Sequence, residues 1–543
     1  CAFLNDVINR ECCAECQFQK IPRQGDLTIG DFWGIEDCDP ELDDNKGVSV
    51  ILVNSEKGQT LLENCKKDFM VLREERLKDA IVKNPNIVSS STPHPARNKF
   101  FEYNKRFSVS KSARKVLQGE CDVVIMNYWY AKNYGAILTC YALYRLLEKE
   151  NIDVNLLNYI PENFRPLYEG SFAKLFAEKH MEKTKECFCY DDLLTLNDSA
   201  DTFIVGSDQV WNYNIYQEHG GNIFQLDFTN PEKRRIACAV SFGSDIWNAP
   251  KYETGKFREL VKDFHAISVR EESGEKLLEK YFQLEADVVG NPVFALSAEE
   301  WRSLAGKEPL CINKYFTYYI LAGGHGDDKI PWMQDAMNMV EERVGAAPFG
   351  LEFGKGYTVE QWLNYIANAE LVVTDSFHAV CFSIIFNRPF VYLLKNVDLY
   401  PRLENVFQRY KINATDITED DFKEVLSKRD IFDINFKYAN AQIKEDRKLF
   451  RDWLASAIHE EVIPVHDEFV RELLQNMHKV EDYVHREEKI TASLERENEN
   501  LREHNSHLQA HADNLQNAYA EVTNSTMWKA TKPVRRILDR MKR

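Results

Sequence analysis

The chain has 543 residues, which is too long for one ordinary domain and predicts about two to four folded units. Apolar residues make up 44 % of it and aromatic residues 12 %, enough for a large core, whereas the net charge of −18 excludes a general nucleic-acid binder because a polyanion would be repelled. The 13 cysteines are widely scattered, which is typical of reduced cytosolic thiols rather than of a disulfide framework, and no apolar run reaches the roughly 18 to 20 residues that span a bilayer.

The first element is a cysteine cluster followed by a strand-like block, residues 12–36, with the sequence CCAECQFQKIPRQGDLTIGDFWGIE. Cys13 and Cys16 have the CxxC spacing that could bind a metal ion or an iron–sulfur cluster. Other cysteines that could contribute are Cys1, Cys12 and Cys38. Because such sites normally need four ligands and one CxxC supplies two, spacing alone favours free or structural thiols.

Three blocks of this region resemble the C-terminal part of the deazaflavin-dependent hydrogenase/dehydrogenase beta-subunit family: RECCAECQF, GDLTIGDFWGIE and KGVSVILVNSEKG. Members of that family carry flavin and iron–sulfur centres. The chain opens on Cys1 rather than on methionine, so we expect further residues upstream, including the flavin-binding portion. The resemblance implies that residues 1–105 are an α+β fragment of a redox module, which could hold an iron–sulfur cluster when complete. It does not predict redox activity for this chain.

After a basic, polar segment at 96–120 that we interpret as a linker, residues 121–425 repeat one pattern: an apolar strand, a polar turn and a helix. The strands are CDVVIMNY, DTFIVGSD, HAISVR and AELVVTDSFH. This alternation predicts parallel sheets flanked by helices, an α/β fold. In such sheets ligands gather at the carboxyl ends of the strands, where the polar residues of this chain stand.

The seam at residues 374–390 places polar side chains between a strand and a helix. Asp375 or Ser376 is a good N-cap for that helix, so His378 falls in its first turn, beside free backbone amides that favour an anion. A bound phosphate would keep the imidazole protonated. A buried, hydrogen-bonded histidine that caps a turn would leave the same pattern.

Arg270 ends the strand AISVR, where a guanidinium could grip a carboxylate or phosphate, although a salt bridge to Glu271 or Glu272 is the simpler interpretation. Two further seams carry candidate substrate-binding residues, namely Gly206, Ser207, Asp208 and Gln209 in GSDQVWN, and Asn133 and Gly135 in NYGAIL. Glycine allows a close backbone approach at these positions, but a simple helix cap explains each seam equally well.

Taken together, these blocks resemble the polysaccharide pyruvyl transferase family over about residues 121–412. The resemblance implies two Rossmann-like halves facing a cleft, as in glycosyltransferases of the B type, with the first half ending near residue 290. It also implies that phosphoenolpyruvate is the donor substrate and that a sugar receives the pyruvyl group as a ketal, with no cofactor required. His378 would be the acid/base, Arg270 the anion clamp, and Ser376 and Arg402 further substrate contacts.

Two positions depart from the family pattern. Ala379 stands where a glycine usually follows the SFH triplet, a mild change. Asn291, in VVGNPVF, replaces the usual acid before proline. If that acid is structural, asparagine can replace its hydrogen bonds; if it is functional, the activity is in doubt. The alternative functions are a nucleotide-sugar glycosyltransferase on the same fold, an iron–sulfur/flavin electron-transfer protein, and a non-catalytic scaffold.

The region 466–524 carries a heptad repeat. Its core positions are Leu494, Leu501, Leu508, Leu515 and Val522, with companions at Asn498, Asn505, Ala512 and Tyr519. This seam predicts a coiled coil, and asparagines in the core fix the register and favour two strands, so we expect a homodimer. A long solvated helix packed on the body is the alternative.

The last element, residues 525–543, is a basic tail in which residues 527–543 carry seven Lys/Arg and one acid, together with apolar residues for one helical face. On an acidic protein this composition indicates a membrane-surface contact, although a disordered basic tail would have the same composition. The tail also resembles the terminal segment of many enzymes of cell-surface polysaccharide synthesis. We therefore expect a cytoplasmic protein that is peripheral on the inner face of the membrane, where a lipid-linked sugar acceptor would lie.

Overall fold

The computed structural model describes residues 5–43, 46–130, 133–321, 331–351, 356–394, 400–459 and 468–542. The chain divides into two compact units, one formed by 1–229 with 233–463 and the other by 230–232 with 464–543. The first unit contains every β-strand in the described part of the chain.

The N-terminal region is a small α+β layer with its own core. Strands β1 (Leu27–Asp31) and β2 (Ser49–Val53) pair antiparallel. The helices are α1 (Glu11–Ala14), α2 (Ile35–Cys38), α3 (Glu56–Cys65), α4 (Leu77–Val82), α5 (Arg97–Tyr103) and α6 (Val109–Gln118). The core contains Phe32, Ile35, Ala80 and Ile87, so few apolar groups hold this layer together.

The segment 96–120 is not the polar linker that its composition predicted, since it forms α5 and α6. Part of its charge is buried and paired: Lys115 of α6 is buried and forms a salt bridge to Asp153, which is also buried. Ser108 caps α6 by accepting a hydrogen bond from the Lys111 amide, and Gly119 ends the helix in the left-handed conformation.

The first half of the central region is built on a parallel sheet that has six strands among the described residues, in the order β4-β3-β5-β6-β7-β8. The strands are β3 (Val123–Met126), β4 (Val154–Leu156), β5 (Thr202–Val205), β6 (Arg234–Val240), β7 (Ala266–Val269) and β8 (Asp287–Val288). The helices are α7 (Tyr134–Lys149), α8 (Arg165–Tyr168), α9 (Phe172–His180), α10 (Tyr190–Leu194), α11 (Tyr213–Glu218), α12 (Lys251–Val261), α13 (Glu272–Leu277) and α14 (Ala298–Ala305). Strands such as VVIM and TFIV are buried on both faces, as expected for a parallel sheet covered by helices.

The second half repeats the design with a parallel sheet of five described strands, ordered β10-β9-β11-β12-β13. The strands are β9 (Tyr315–Tyr319), β10 (Ala347–Gly350), β11 (Val372–Thr374), β12 (Phe390–Leu393) and β13 (Thr415–Ile417). The helices are α15 (Pro331–Val344), α16 (Val359–Asn368), α17 (Phe377–Phe386), α18 (Tyr400–Tyr410) and α19 (Phe422–Lys428). The prediction of an α/β protein with two Rossmann-like halves facing a cleft is therefore confirmed.

Contacts of Tyr134 and of helix α20 are among those that tie the halves together. The ring of Tyr134 on α7 stacks 4.0 Å from Phe172 and 5.2 Å from Trp362 of the second half, and its hydroxyl donates to the Tyr357 carbonyl at 2.8 Å. Helix α20 (Lys437–His459) follows the second half and packs back on the first, where Trp453 Nε1 donates to Asp287 at 2.9 Å.

The second unit is helical. It contains α21 (Glu468–Asn524), α22 (Thr526–Ala530) and α23 (Lys532–Met541). The predicted coiled coil at 466–524 therefore coincides with one 57-residue helix, and its pairing stays a prediction. Among the described residues, no helix has the length and apolarity that crossing a membrane requires.

Candidate active site

The carboxyl ends of β3 and β5 meet through backbone and amide contacts. Asn127, directly after β3, donates from Nδ2 to the Ser207 carbonyl at 2.7 Å. A Cβ at Gly206 would lie 3.1 Å from that same nitrogen, so glycine lets the turn approach Asn127. Ser207 is fully buried, and the seam that the sequence singled out is packed into the sheet edge.

Asp208 has an unusual backbone conformation for a residue other than glycine, with φ of 127°. Its Oδ1 accepts from the Gln209 amide at 2.8 Å and lies 3.8 Å from Arg270 Nη1. The carboxylate therefore turns towards the arginine at the end of β7. Gln209 instead accepts from Asn212 at 3.1 Å, which commits its side chain to the loop.

Arg270 is a buried cation, since its side chain is only 2 % exposed. Nε donates to Glu271 at 2.9 Å, and the guanidinium carbon lies 5.1 Å from the centre of the Phe377 ring. Nη1 and Nη2 are buried and make no hydrogen bond to any described residue. Because buried polar groups are nearly always hydrogen-bonded, these two donors point to a ligand that accepts from both, as a carboxylate or phosphate does.

A cavity of about 270 Å³ adjoins this guanidinium. Arg270, Asn291 and Phe377 line it on one side, and α18 contributes Arg409 and Tyr410 on the other. Arg409 is already engaged in a two-point salt bridge to Asp446, with nitrogen–oxygen distances of 2.6 and 2.7 Å. Of these two arginines, Arg270 is therefore the one with hydrogen-bond donors left for an anion.

A larger groove of about 840 Å³ lies at the amino end of β7. Its lining is acidic, with Glu275, Glu279, Glu285 and Asp287 among its residues. Carboxylates repel an anion, so the smaller cavity at Arg270 suits an anionic ligand better despite its volume.

His378 lies in the first turn of α17, as predicted, and is buried. Ser376 caps this helix by accepting from the Ala379 amide at 3.4 Å, so its hydroxyl is used by the protein. The imidazole crosses the cleft: Nε2 lies 3.0 Å from Thr139 Oγ1 of the first half and 3.5 Å from Asn291 Nδ2. Both of these contacts at Nε2 are with uncharged side chains.

The imidazole of His378 lies directly against Gly135 at the start of α7. A Cβ at this position would lie 2.0 Å from His378 Nδ1, a separation that no real structure tolerates. Asn133 caps α7 by accepting from the Gly135 amide at 2.9 Å, which fixes the first turn of the helix under the ring. The candidate substrate contacts in NYGAIL thus position the histidine.

Thr139 was not predicted from the sequence, and Asn291 was noted there only as a departure from the family pattern. Thr139 stands one turn after Gly135 on the same face of α7, so helical spacing could have found it. Asn291 Oδ1 accepts from the Val293 amide at 3.0 Å, a cap that an aspartate could also make. The asparagine keeps that cap and removes a negative charge from beside His378.

The remaining candidates stay predictions. Arg402 belongs to α18, but its side chain lies outside the described residues. Cys13 and Cys16 are partly exposed and not disulfide-bonded, and the described residues contain no group of three or more His, Cys, Asp or Glu side chains arranged to hold a metal ion. Cys1, a further candidate ligand, falls outside the described part of the chain. The described thiols therefore do not form the four-ligand set of an iron–sulfur cluster.

The fold defines a two-halved α/β protein, and the buried Arg270 beside a small cavity marks a candidate anion-binding site. Residues 133–394 match the polysaccharide pyruvyl transferase family, and residues 3–77 match the C terminus of the coenzyme F420 hydrogenase/dehydrogenase beta subunit. Both resemblances inferred from the sequence are confirmed, in the order predicted. The first match supports a transferase that modifies a polysaccharide. No curated protein matches the chain.

Solved structures of sugar-nucleotide enzymes show a distant likeness. The UDP-GlcNAc 2-epimerase of Methanocaldococcus jannaschii is 13 % identical with a TM-score of 0.39, over 62 % of this chain and 99 % of that one. The ADP-heptose LPS heptosyltransferase II of E. coli is 13 % identical with a TM-score of 0.30, over 60 % and 99 % respectively. Because these scores are low, the fold assignment rests on the strand order of the two sheets.

Proposed function

We propose that this chain transfers a pyruvyl group from phosphoenolpyruvate to a sugar of a surface polysaccharide or of its lipid-linked precursor. The observation that carries the proposal is Arg270, which lines a small cavity and whose buried Nη1 and Nη2 have no hydrogen-bond partner among the described residues. A donor with both a carboxylate and a phosphate matches such a site. The match to the pyruvyl transferase family adds the reaction class.

In this reaction a proton adds to C3 of the enol, which makes C2 electrophilic. Two sugar hydroxyls then form bonds to C2, the bond from C2 to the phosphate oxygen breaks, and phosphate leaves. The two sugar hydroxyls together release two protons. One proton is added to C3 and the other is taken up by the departing phosphate, so the protons balance. No cofactor is needed, since no electrons are gained or lost.

A contact described above supports each proposed role. Arg270 binds the donor's anionic groups, while Glu271 accepts from its Nε and Asp208 lies 3.8 Å from its Nη1. His378 moves the proton, because Thr139 and Asn291 orient its Nε2 without neutralising a charge on it. Phe377 lies against the guanidinium and keeps water from the anion.

The test is phosphate release from phosphoenolpyruvate with a panel of nucleotide-linked and lipid-linked sugars. We expect sugar-dependent release that falls by about 10²- to 10⁴-fold in His378→Ala. The matched control is His507→Ala on α21, where the histidine is exposed, and it should leave the rate unchanged. Hydrolysis of a nucleotide sugar without phosphoenolpyruvate would instead identify a glycosyltransferase.

Donor binding separates an absent acceptor from a wrong site. Calorimetry should detect phosphoenolpyruvate binding to the unaltered chain and a large loss in Arg270→Met, which keeps the apolar stem and removes the charge. Lys428→Met, on an exposed part of α19, is the control. If the unaltered chain does not bind phosphoenolpyruvate, the proposal fails whatever acceptor is supplied.

A further inference from the structure

Helix α21 presents an unusually apolar stripe to solvent. Leu494, Leu501, Leu508, Leu515 and Val522 recur every seven residues and are each more than half exposed. A single helix with such a stripe is incomplete, because apolar residues at this spacing normally pack against another helix. The same heptad position is apolar again at Val480 and Leu473, which are also exposed, although Glu487 interrupts the repeat before Leu494.

Two asparagines at the heptad position beside this stripe favour one arrangement of two paired helices. Asn498 and Asn505 each follow a leucine by four residues and so share one heptad position. In a parallel, in-register pair each asparagine meets its own copy and the amides can hydrogen-bond. In an antiparallel pair that position faces the leucine position, which would bury unpaired amides.

The flanking charges favour the same arrangement. Glu497 precedes the Asn498 position, and Arg502 follows the Leu501 position. In a parallel pair these two flanking positions come together across the interface five residues apart, so Glu497 of one copy meets Arg502 of the other. This attraction would be repeated on both sides of the seam by the twofold symmetry.

Helix α23 continues the chain beyond this stripe with a different surface. Val534, Ile537, Leu538 and Met541 lie within one narrow arc of the helix and are all more than half exposed. The opposite face carries basic residues, namely Lys532, Arg535, Arg536 and Arg540. Arg535 also lies 3.3 Å from the ring centre of Trp528, which ties α22 to α23.

We propose that two copies of the chain pair through α21 as a parallel coiled coil, and thereby present two basic amphipathic helices α23, at the same end, to an anionic lipid surface. The apolar arc would enter the interface between headgroups and acyl chains, and the basic face would lie against the anionic headgroups. A nucleic acid would use the charge but not the apolar arc. The inference is independent of the chemistry at His378.

Pairing matters because one short basic helix binds a membrane weakly. Once one copy of α23 has bound, the coiled coil holds the second close to the same surface, so the second binding event is intramolecular. The chain as a whole is acidic, with a net charge of −18, so without the basic helix α23 it would be repelled by an anionic membrane.

Vesicle sedimentation with the full chain tests lipid binding. We expect binding to vesicles of phosphatidylglycerol and phosphatidylcholine in equal parts, and little to phosphatidylcholine alone. The triple variant Arg535→Gln, Arg536→Gln and Arg540→Gln should weaken binding by about 10²-fold. The double variant Ile537→Ser and Leu538→Ser should also weaken it. Equal binding to both vesicles, or unchanged binding by either variant, would overturn the proposal.

A charge-matched control separates the helix from the overall charge. The substitutions Lys57→Gln, Lys276→Gln and Lys428→Gln remove the same number of positive charges from exposed sites on the body. This variant should bind as the unaltered chain does. If it loses as much affinity as the α23 variant, lipid binding reflects total charge and the proposal is wrong.

The dimer is tested by mass and by vesicle binding together. We expect light scattering to give twice the chain mass of 63.2 kDa, and the double variant Leu501→Glu and Leu508→Glu to give the single mass. That variant keeps α23 intact and should still lose about 10²-fold in vesicle affinity. A monomeric variant that binds vesicles as tightly as the dimer would contradict the role of pairing.

Orientation is tested by cross-linking. In a parallel pair, Leu508→Cys places two thiols across the seam, so mild oxidation should link two chains through that position. Ala510→Cys, on the opposite side of the helix, is the control and should cross-link no more than the unaltered chain. Equal cross-linking by both variants would exclude the parallel arrangement.

Discussion

Two helices of this chain carry leucines in opposite surroundings. On α7, Leu143 is fully buried, whereas on α21 Leu508 is 54 % exposed. The central region packs its apolar groups within one chain, and the buried donors of Arg270 belong to a side chain that lines a cavity of small-ligand size. The long helix α21 leaves its whole leucine stripe exposed to solvent. The groups that a region leaves unpaired therefore indicate the size of the partner that it binds.

Truncating the two leucines makes the contrast measurable. Leu143→Ala should lower the free energy of unfolding of the central region by about 2–5 kcal/mol, because it opens a cavity in a packed core. Leu508→Ala should leave that transition unchanged and weaken dimerisation instead. Denaturant unfolding and the concentration dependence of the mass measure the two effects. A loss of core stability in Leu508→Ala would mean that α21 packs on the body.

The second prediction concerns the close approach of Gly135 to His378. Gly135→Ala should lower the rate of transfer by about 10²-fold, because the new methyl group displaces the His378 ring by an ångström or more. Gly255→Ala is the matched control: this glycine also lies in a helix, and a Cβ there meets no atom within 4 Å. The rate constant at saturating donor should fall in the first variant only. Equal rates in both would show that the imidazole does not act from this position.

Buried and exposed histidines should respond differently to acid. Burial lowers the pKa of His219 from 6.5 to about 4, although nearby Asp208 opposes the change. Since the unfolded chain binds this proton below about 6.5 and the folded chain does not, the stabilisation is fully present above pH 6.5 and is lost as the pH falls towards 4. We expect a loss of about 1–3 kcal/mol from this group.

The measurement is the unfolding free energy of His219→Gln and of the unaltered chain across that pH range. The variant should be less stable at neutral pH, because it loses the hydrogen bond of 2.8 Å to Tyr130, and less sensitive to acid. His504→Gln on exposed α21 is the control and should keep the original slope. Parallel slopes in all three proteins would show that His219 does not bind its proton differently on unfolding.

The smallest expected effect is at Asn291. Asn291→Asp should keep the cap on the Val293 amide and place a negative charge near His378 Nε2, which favours the protonated imidazole. We expect the limb of the pH–rate profile that reports His378 to move up by about one pH unit. An unmoved profile with an unchanged rate would mean that the two side chains are not coupled in the working enzyme.

Much of the site could be predicted because it follows from local rules. The order of strand, cap and helix along the sequence was enough to predict the positions of Ser376 and His378. Arg270 was predicted in the same way, because it comes directly after its strand. The partners could not be predicted in the same way. Thr139 and Asn291 are 239 and 87 residues away from His378 along the chain, and only the packing of two halves brings them to its ring.

The sequence by itself determined the alternation of strands and helices, the heptad stripe of α21 and the positions of the polar seams, because these depend on periodicity and on neighbours a few residues apart. The tertiary structure decided what each polar group does. It used Asn133, Ser376 and Gln209 for caps and loop contacts, it left Nη1 and Nη2 of Arg270 without a hydrogen bond to any described residue, and it turned the expected linker at 96–120 into two packed helices. The physical reason is that hydrogen bonding and burial depend on which distant surfaces meet, and spacing along a chain does not record that.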